Sequence, residues 1–368
     1  MFLKKYFNQK TVLVTGHSGF KGSWLSIWLH SLGAKVVGVS SDIPTNPSHF
    51  ETSNLKDKIK DIRLDVSNQS AFRDILAEGR PDYIFHLAAQ PLVRLSYNEP
   101  FETLFANAIG TASVLDALRF VDKQTVVVMI TSDKAYDNLE WTWGYRECDR
   151  LGGKDPYSAS KGMAELAIRS YVESFFRGDD NHVRIGVGRA GNVIGGGDWA
   201  LDRIVPDCIR SWADSKAVEI RNPFATRPWQ HVLEPLSGYL SLAAALNDNA
   251  ELHGEAFNFG PPAEQNHPVG NLVELMTHYW DQASWEDKSD EIKGPYESGL
   301  LKLNCDKALH MLNWKAVLNF EETVKETVTW YRNYYDNPNA DIFNFTSDQI
   351  FRYIELAKER NLNWASSA

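Results

Sequence analysis

Two side chains in the run Tyr157-Ser158-Ala159-Ser160-Lys161 can do chemistry together. The run reads as helix, and a spacing of four residues sends both side chains from one face. An ammonium beside a phenol favours the phenolate and lowers a pKa that is about 10 in the free side chain, making the tyrosine a general base near neutral pH. The same spacing also describes an ordinary solvated pair. Context separates the two readings. Val126-Val127-Val128-Met129-Ile130-Thr131 is continuously apolar and β-branched, then breaks into Ser132-Asp133-Lys134, as a strand buried on both faces of a parallel sheet does at its end. Ligands of open α/β sheets bind beyond such ends. The Ser132 hydroxyl can bridge Tyr157 and a substrate hydroxyl.

Other elements must deliver a cofactor to that point. Thr11 to Thr15 reads as a buried strand, runs into Gly16-His17-Ser18-Gly19-Phe20-Lys21-Gly22, and leads to a helical pattern from Ser23 to Leu32. In such a turn Gly16 permits the tight bend, Gly19 lets backbone N–H groups approach a phosphate, and Gly22 lets the helix pack closely, with a pyrophosphate at the helix N-terminus. Lys35 to Val39 is the second strand. Asp42 beyond it either accepts the adenosine ribose hydroxyls or is an ordinary loop aspartate, and with no Arg or Lys between Lys35 and Lys56 the pattern favours NAD over NADP. A third strand, Lys60 to Leu64, ends at Asp65-Val66, near where an adenine amino group lies. Tyr83 to Gln90 is the fourth strand and its exit; Ala88 and Ala89 either let the backbone pass close to the dinucleotide or simply pack. Asn107 lies inside a helical pattern from about Pro100 to Phe120, either solvated or bonded to neighbouring backbone.

At 368 residues, 43% hydrophobic and 23% charged, the chain can build a sizeable core and two lobes. A formal charge of -10 argues against a nucleic-acid or anionic-membrane surface, so any phosphate must be met by a few local cations. Cys148, Cys208 and Cys305 are scattered with no Cys-x-x-Cys, which argues against a disulfide scaffold or structural zinc and for reduced thiols in a cytoplasm. No metal site is assigned. Residues 1–10 hold no apolar run fit for a signal peptide, and no later run reaches the roughly 18 residues of a membrane span.

The order Thr15-Gly16-x-x-Gly19-x-x-Gly22, Asp65, His86-Leu87-Ala88-Ala89, Asn107, Ser132 and Tyr157-x-x-x-Lys161 resembles the extended short-chain dehydrogenase/reductase family. Ser132-Asp133-Lys134, an acid then a base after the active-strand serine, resembles that family's nucleotide-sugar 4,6-dehydratases, most of which have Glu where Lys134 stands. The glycine turn, Gln90-Pro91-Leu92-Val93-Arg94 and Arg189 to Trp199 are similar to the branch whose substrate is CDP-glucose. The resemblance implies an α/β fold, a Rossmann-type doubly wound parallel sheet with a smaller C-terminal α/β substrate lobe. It implies NAD held by Gly16, His17, Gly19, Phe20, Gly22, Asp42, Asp65, Val66, Leu87, Ala88, Ala89 and Asn107, with Tyr157 and Lys161, and a homodimer or homotetramer. It places Gln90, Asn192 and Arg203 at the nucleotide sugar. Arg227 either contacts the diphosphate, where a guanidinium fork matches phosphate oxygens, or makes an interlobe salt bridge; Tyr296 faces ribose or base.

The expected organisation is an NAD-binding domain over 1–188 plus a returning segment at about 231–255, a substrate lobe over 189–230 and 256–335, and a helical tail over 336–368 that docks on the body or on a second subunit. The insert from Asp137 to Pro156 is expected as a loop over the site, with Trp141 and Trp143 excluding water or filling core. The implied reaction converts CDP-glucose to its 4-keto-6-deoxy derivative plus water, a step of deoxysugar and polysaccharide biosynthesis. Tyr157 takes the C4 hydroxyl proton, Lys134 takes the C5 proton or stabilises the enolate, and Asp133 protonates the departing C6 hydroxyl. A nucleotide-sugar 4-epimerase would need Ser132, Tyr157 and Lys161 but not Asp133-Lys134, and a non-catalytic NAD-binding regulator would not need the tyrosine and lysine.

Overall fold

The computed structural model describes residues 2–178, 181–289 and 299–366. The apolar runs become β1 (Thr11–Thr15), β2 (Lys35–Ser40), β3 (Lys60–Arg63), β4 (Tyr83–His86), β5 (Thr125–Ser132) and β6 (Val183–Ala190). With the short strand Ala256–Asn258 they form one seven-stranded sheet in the order Ala256–Asn258, β6, β5, β4, β1, β2, β3, every pairing parallel. Winding runs outward from β1 to β3, then restarts at β4 on the other side of β1. The crevice of a doubly wound sheet opens at that reversal. Thr15 pairs with both Val39 and His86, so the exits of β1, β2 and β4 lie level, and β5 carries Ser132 to pair with Ala190 of β6. Residues 256–258 lie in the sheet, three residues past the expected limit of the cofactor domain at 255, because they hydrogen-bond β6 at Val187, Gly188 and Arg189.

The sheet is covered on both faces. The helix Phe20–Ser31 buries Trp24, Leu25, Ile27, Trp28 and Leu29 around its whole circumference. One side meets the sheet; the other is capped by the tail helix Ile342–Glu359, where Trp28 packs edge-on against Tyr353 with ring centroids 5.8 Å apart. The tail therefore docks on the body of its own chain. The helix Leu233–Asp248 packs on β5 and β6. Opposite, the helix Pro156–Phe175 starts where Asp155 caps it by accepting the Ser158 N–H at 2.9 Å and Pro156 supplies a preset φ.

The pattern from Pro100 to Phe120 is not one α-helix: Phe105–Ile109 forms a π-helical stretch between Pro100–Leu104 and Gly110–Leu118. In the smaller lobe the helices Ile204–Ala213, Val269–Thr277, Asp306–Leu312 and Phe320–Asp336 are joined by two-stranded pieces, Val218–Ile220 with Trp285–Asp287 and Thr226–Arg227 with His267–Pro268. The insert is irregular. Trp141 packs on Tyr145 beside Leu301 and Leu303, filling a small core of its own, while Trp143 is 61% exposed. No described helix is long and apolar enough to cross a membrane.

Candidate active site

The glycine turn works through backbone contact. Gly16 has φ +73°, and a Cβ on it would come 2.7 Å from the Ala88 nitrogen; a Cβ on Gly22 would come 2.0 Å from the Gly16 carbonyl oxygen. Helix, turn and the exit of β4 are thus in backbone contact, and the Ala88 N–H donates to Thr15 Oγ1 at 3.2 Å. This is a cradle that a side chain would fill, and it fits a pyrophosphate at the N-terminus of Phe20–Ser31.

Several residues expected around that cradle have partners within the chain. The His17 imidazole is fully buried under the sheet edge, with Nδ1 2.9 Å from Ser40 Oγ and Nε2 2.9 Å from Asp61 Oδ1, so it ties β2 to β3 instead of facing the crevice. Asp42 is exposed and accepts the Ser41 hydroxyl at 2.8 Å. Its carbonyl accepts Arg63 Nη1 at 3.1 Å, so parallel pairing of β3 on β2 brings in a cation that residues 36–55 lack. That guanidinium is already neutralised by Asp61, 2.8 Å away. Asp65 is exposed and accepts the Ser67 N–H at 2.8 Å, and Val66 is buried with its carbonyl on the Ser113 hydroxyl. Asn107 is neither solvated nor aimed at the crevice. Its amide donates to Gln90 O and Ser160 Oγ and accepts from Gln90 N, clamping the exit of β4 to the catalytic helix. The Gln90 side chain folds back onto Leu92 and Thr103, so its expected substrate contact is replaced by loop bracing. Phe20, Leu87 and Ala89 are half-buried along the crevice.

At the end of β5 the candidate reacting groups meet. Ser132, Asp133, Tyr157 and Lys161 are 7%, 3%, 7% and 7% exposed. Ser132 Oγ donates to Asp133 Oδ1 at 3.0 Å and accepts the Lys134 N–H at 3.2 Å. Asp133 Oδ2 lies 3.4 Å from Asn192 Nδ2, with Asn192 at φ +52°, and a Cβ on Gly191 would come within 1.9 Å of that oxygen. Only glycine can pass there. The Lys134 side chain is half-buried and has no hydrogen bond or ion pair among the described residues.

The electrostatics differ from expectation. Burial pushes the Tyr157 phenol up to about 12, against the lowering effect of its Ser132 hydrogen bond and of Arg203. Lys161 is shifted as well. Its ammonium sits 5.8 Å from the centre of the Tyr157 ring, and burial pushes the lysine down to about 8, with Glu165 opposing. For both groups desolvation is the largest cause, because both are inside. Lys21 was missed by sequence reading. It is also pushed down to about 8, by burial and then by Arg203, with Asp133, Lys161 and Asp198 among its other charged neighbours, which puts it at the reaction end. Its signal was a lone cation inside a glycine turn. Arg203 is anchored to buried Asp198 at 2.7 Å, and its charge reaches Tyr157. Arg227 lies in the ribbon with His267–Pro268 and donates to the Thr226 carbonyl at 2.8 Å. Tyr296 lies outside the described residues.

Behind the catalytic helix, Arg189 forks onto Glu165, Nε to Oε1 at 2.7 Å and Nη2 to Oε2 at 2.9 Å, both side chains 4% exposed. Thr131 also donates to Glu165, and Arg189 continues to Tyr136, which bonds Asn258. No motif named this pair. Glu165 follows Lys161 by one helical turn, and that spacing was its only trace.

Residues 13–327 match the family described as GDP-mannose 4,6 dehydratase. The chain belongs to that family. A CDP-glucose 4,6-dehydratase of Salmonella typhimurium is 47% identical over 90% of this chain and 93% of its own length. A dTDP-D-glucose 4,6-dehydratase of Homo sapiens is 22% identical over 89% and 91% of the two chains. Among solved structures, a dTDP-glucose 4,6-dehydratase from Bacillus anthracis in complex with NAD superposes with a TM-score of 0.72 at 19% identity, covering 92% of this chain and 99% of that one. At that identity the match establishes the shared fold of these dehydratases and epimerases. The family assignment fits a site in which an acid follows the active-strand serine.

Proposed function

We propose that the protein is a CDP-glucose 4,6-dehydratase that works through tightly held NAD. One observation carries the reading beyond the family: Asp133, buried and braced by Ser132 and Asn192, stands on the Tyr157 side of the crevice. A 4-epimerase has no use for a second acid there. The near relative of Salmonella typhimurium, at 47% identity, supports CDP-glucose as the substrate.

NAD in the glycine cradle would accept hydride at the start of the reaction and return it at the end. Gly16, Gly19, Gly22 and the Ala88–Ala89 backbone would hold its pyrophosphate side, with Asp42 at the adenosine end. Tyr157 and Ser132 take the proton of the C4 hydroxyl. Lys161 keeps a cation next to the phenol and the nicotinamide ribose. The C4 ketone makes the C5 proton acidic, because the carbanion becomes an enolate. Lys134, with no competing side-chain partner among the described residues, removes that proton or stabilises the enolate charge. Asp133 gives a proton to the C6 hydroxyl, which leaves as water. Arg203, Lys21, Asn192 and Arg227 supply the cations and amide that a diphosphate requires in an acidic protein. Incubation with CDP-, dTDP-, UDP- and GDP-linked hexoses, followed by the alkaline absorbance of 4-ketosugars, tests this reading. CDP-glucose should turn over best, and no turnover of any hexose removes the proposal.

The reading includes a homo-oligomer. Phe101, Ile109, Met163 and Leu166 are 71%, 50%, 45% and 57% exposed on helices that pack side by side, an apolar face that fits a second copy of the chain. Leu166→Lys should shift the sedimenting species toward monomer.

A further inference from the structure

We propose that Arg94 and Asp202 form a clasp across the crevice that keeps the oxidised sugar in place until its hydride has been returned, so that both act as positioning residues for the reaction. This rests on the dehydratase reading. In that reaction the sugar gives up a proton and a hydride at C4, loses water across C5 and C6, and regains the hydride at C6. Between the first and last steps it is a ketone held by noncovalent contacts alone. A ketone that leaves in that interval departs two electrons short and strands one NADH on the enzyme. Retention is therefore a requirement of the cycle in its own right, separate from the acid and base groups.

The pair joins two segments that are each fixed at their base. Arg94 lies in the short helix Val93–Asn98, which follows the exit of β4 and packs on the catalytic helix Pro156–Phe175. That exit is held by the Asn107 amide, bonded to Gln90 and to Ser160. On the other side Asp202 directly precedes Arg203, which Asp198 Oδ2 holds at 2.7 Å. The base of this loop is fixed as well: Trp199 is buried, its carbonyl accepts Arg210 Nη1 at 2.9 Å, and Asp198 Oδ1 accepts the Ala200 N–H at 3.1 Å. Only the tip is loose. Leu201 is 68% exposed and Asp202 has φ +59°. Arg94 Nη1 donates to Asp202 Oδ1 at 2.5 Å, and among the described residues neither side chain has another hydrogen bond or ion pair. The pair therefore ties the segment packed on the catalytic helix to the loop that carries Arg203. Its side chains are 35% and 43% exposed, so water competes for the contact and salt screens it. A contact of this kind biases closure by about 2- to 5-fold, enough to favour retention and weak enough to open for product in every cycle.

Arg94→Gln and Asp202→Asn each remove one charge at nearly constant size, and Asn tolerates the φ of position 202 as Asp does. With CDP-glucose, each variant should raise the NADH stranded per product formed by about 2- to 5-fold over wild type, read from NADH fluorescence and product yield after many turnovers. The double variant should strand no more than either single, because the two side chains act only through each other. Unchanged stranding in both singles, or factors that multiply in the double, overturns the clasp. A second readout needs no substrate. Arg94→Gln should speed backbone amide hydrogen exchange at residues 199–203, and Asp202→Asn should speed it at 93–98, by the same factor of about 2 to 5. Exchange that stays at the wild-type rate in both segments also overturns the clasp. Exchange that responds in a protein turning over no nucleotide hexose leaves the clasp standing and removes the dehydratase reading.

Discussion

The two ends of the crevice are made of different material. At the glycine turn the chain uses backbone: Gly16, Gly22 and Ala88 approach one another so closely that geometry follows from what is missing, a side chain. At the end of β5 it uses buried charge: Lys21, Asp133, Lys161 and Arg203 share one pocket, with the Glu165–Arg189 pair behind it. Backbone contact leaves little to adjust. A charged cluster is set by desolvation, so its members can be far from their ordinary states, as Tyr157 near 12 and Lys161 near 8 illustrate. The first end is rigid and chemically plain; the second holds ionisable groups that burial moves away from their ordinary pKa values.

The contrast can be broken experimentally. Tyr157→Phe should leave fold and NAD affinity intact and lower kcat by about 10²- to 10⁴-fold, the range for losing a general base; steady-state turnover with a parallel NAD titration reads it. Arg189→Met leaves the Glu165 carboxylate buried without its partner and should cost about 3–5 kcal/mol of stability, seen in the denaturant midpoint. Gly16→Ala meets both a positive φ and a contact at 2.7 Å, and should cost about 2–4 kcal/mol and most NAD binding. Rescue of binding by a second substitution at Ala88 would argue against a purely backbone-made cradle.

Lys161→Met should do the reverse of Gly16→Ala. Because the folded lysine sits near 8, below its ordinary 10.5, the unfolded chain holds the proton more tightly and the native state bears a cost that is full below pH 8 and gone above about 10.5. The variant should lose turnover yet gain up to about 2–3 kcal/mol at pH 7, with the gain fading as pH rises through that window. A gain that grew with pH would contradict the burial argument. The smallest effect belongs to Trp143→Ala: at 61% exposure it should change stability by less than about 0.5 kcal/mol.

Much of this was legible in the sequence where covalent neighbours decide the outcome. The apolar run ending at Ser132, the glycine turn before Phe20–Ser31 and the Tyr157–Lys161 spacing are local patterns, and each sits where its pattern put it. His17 and Gln90 were misread for one reason: a polar residue in a motif looks like a ligand until its bonds are seen going to Asp61 and Ser40, or to Leu92 and Thr103. The preference for NAD stands, although a count along the chain overlooked Arg63, which arrives across the sheet and is held by Asp61.

By itself the sequence determined which segments are strands, where they end, and which side chains leave a helix together, because periodicity and propensity act over a few residues. It also determined the chemical inventory of the site. Tertiary structure decided the charge states and the wiring: that burial raises Tyr157, that Glu165 meets Arg189, that Asn192 reaches the Asp133 carboxyl. Those outcomes depend on how much water the fold removes and on partners brought from distant parts of the chain.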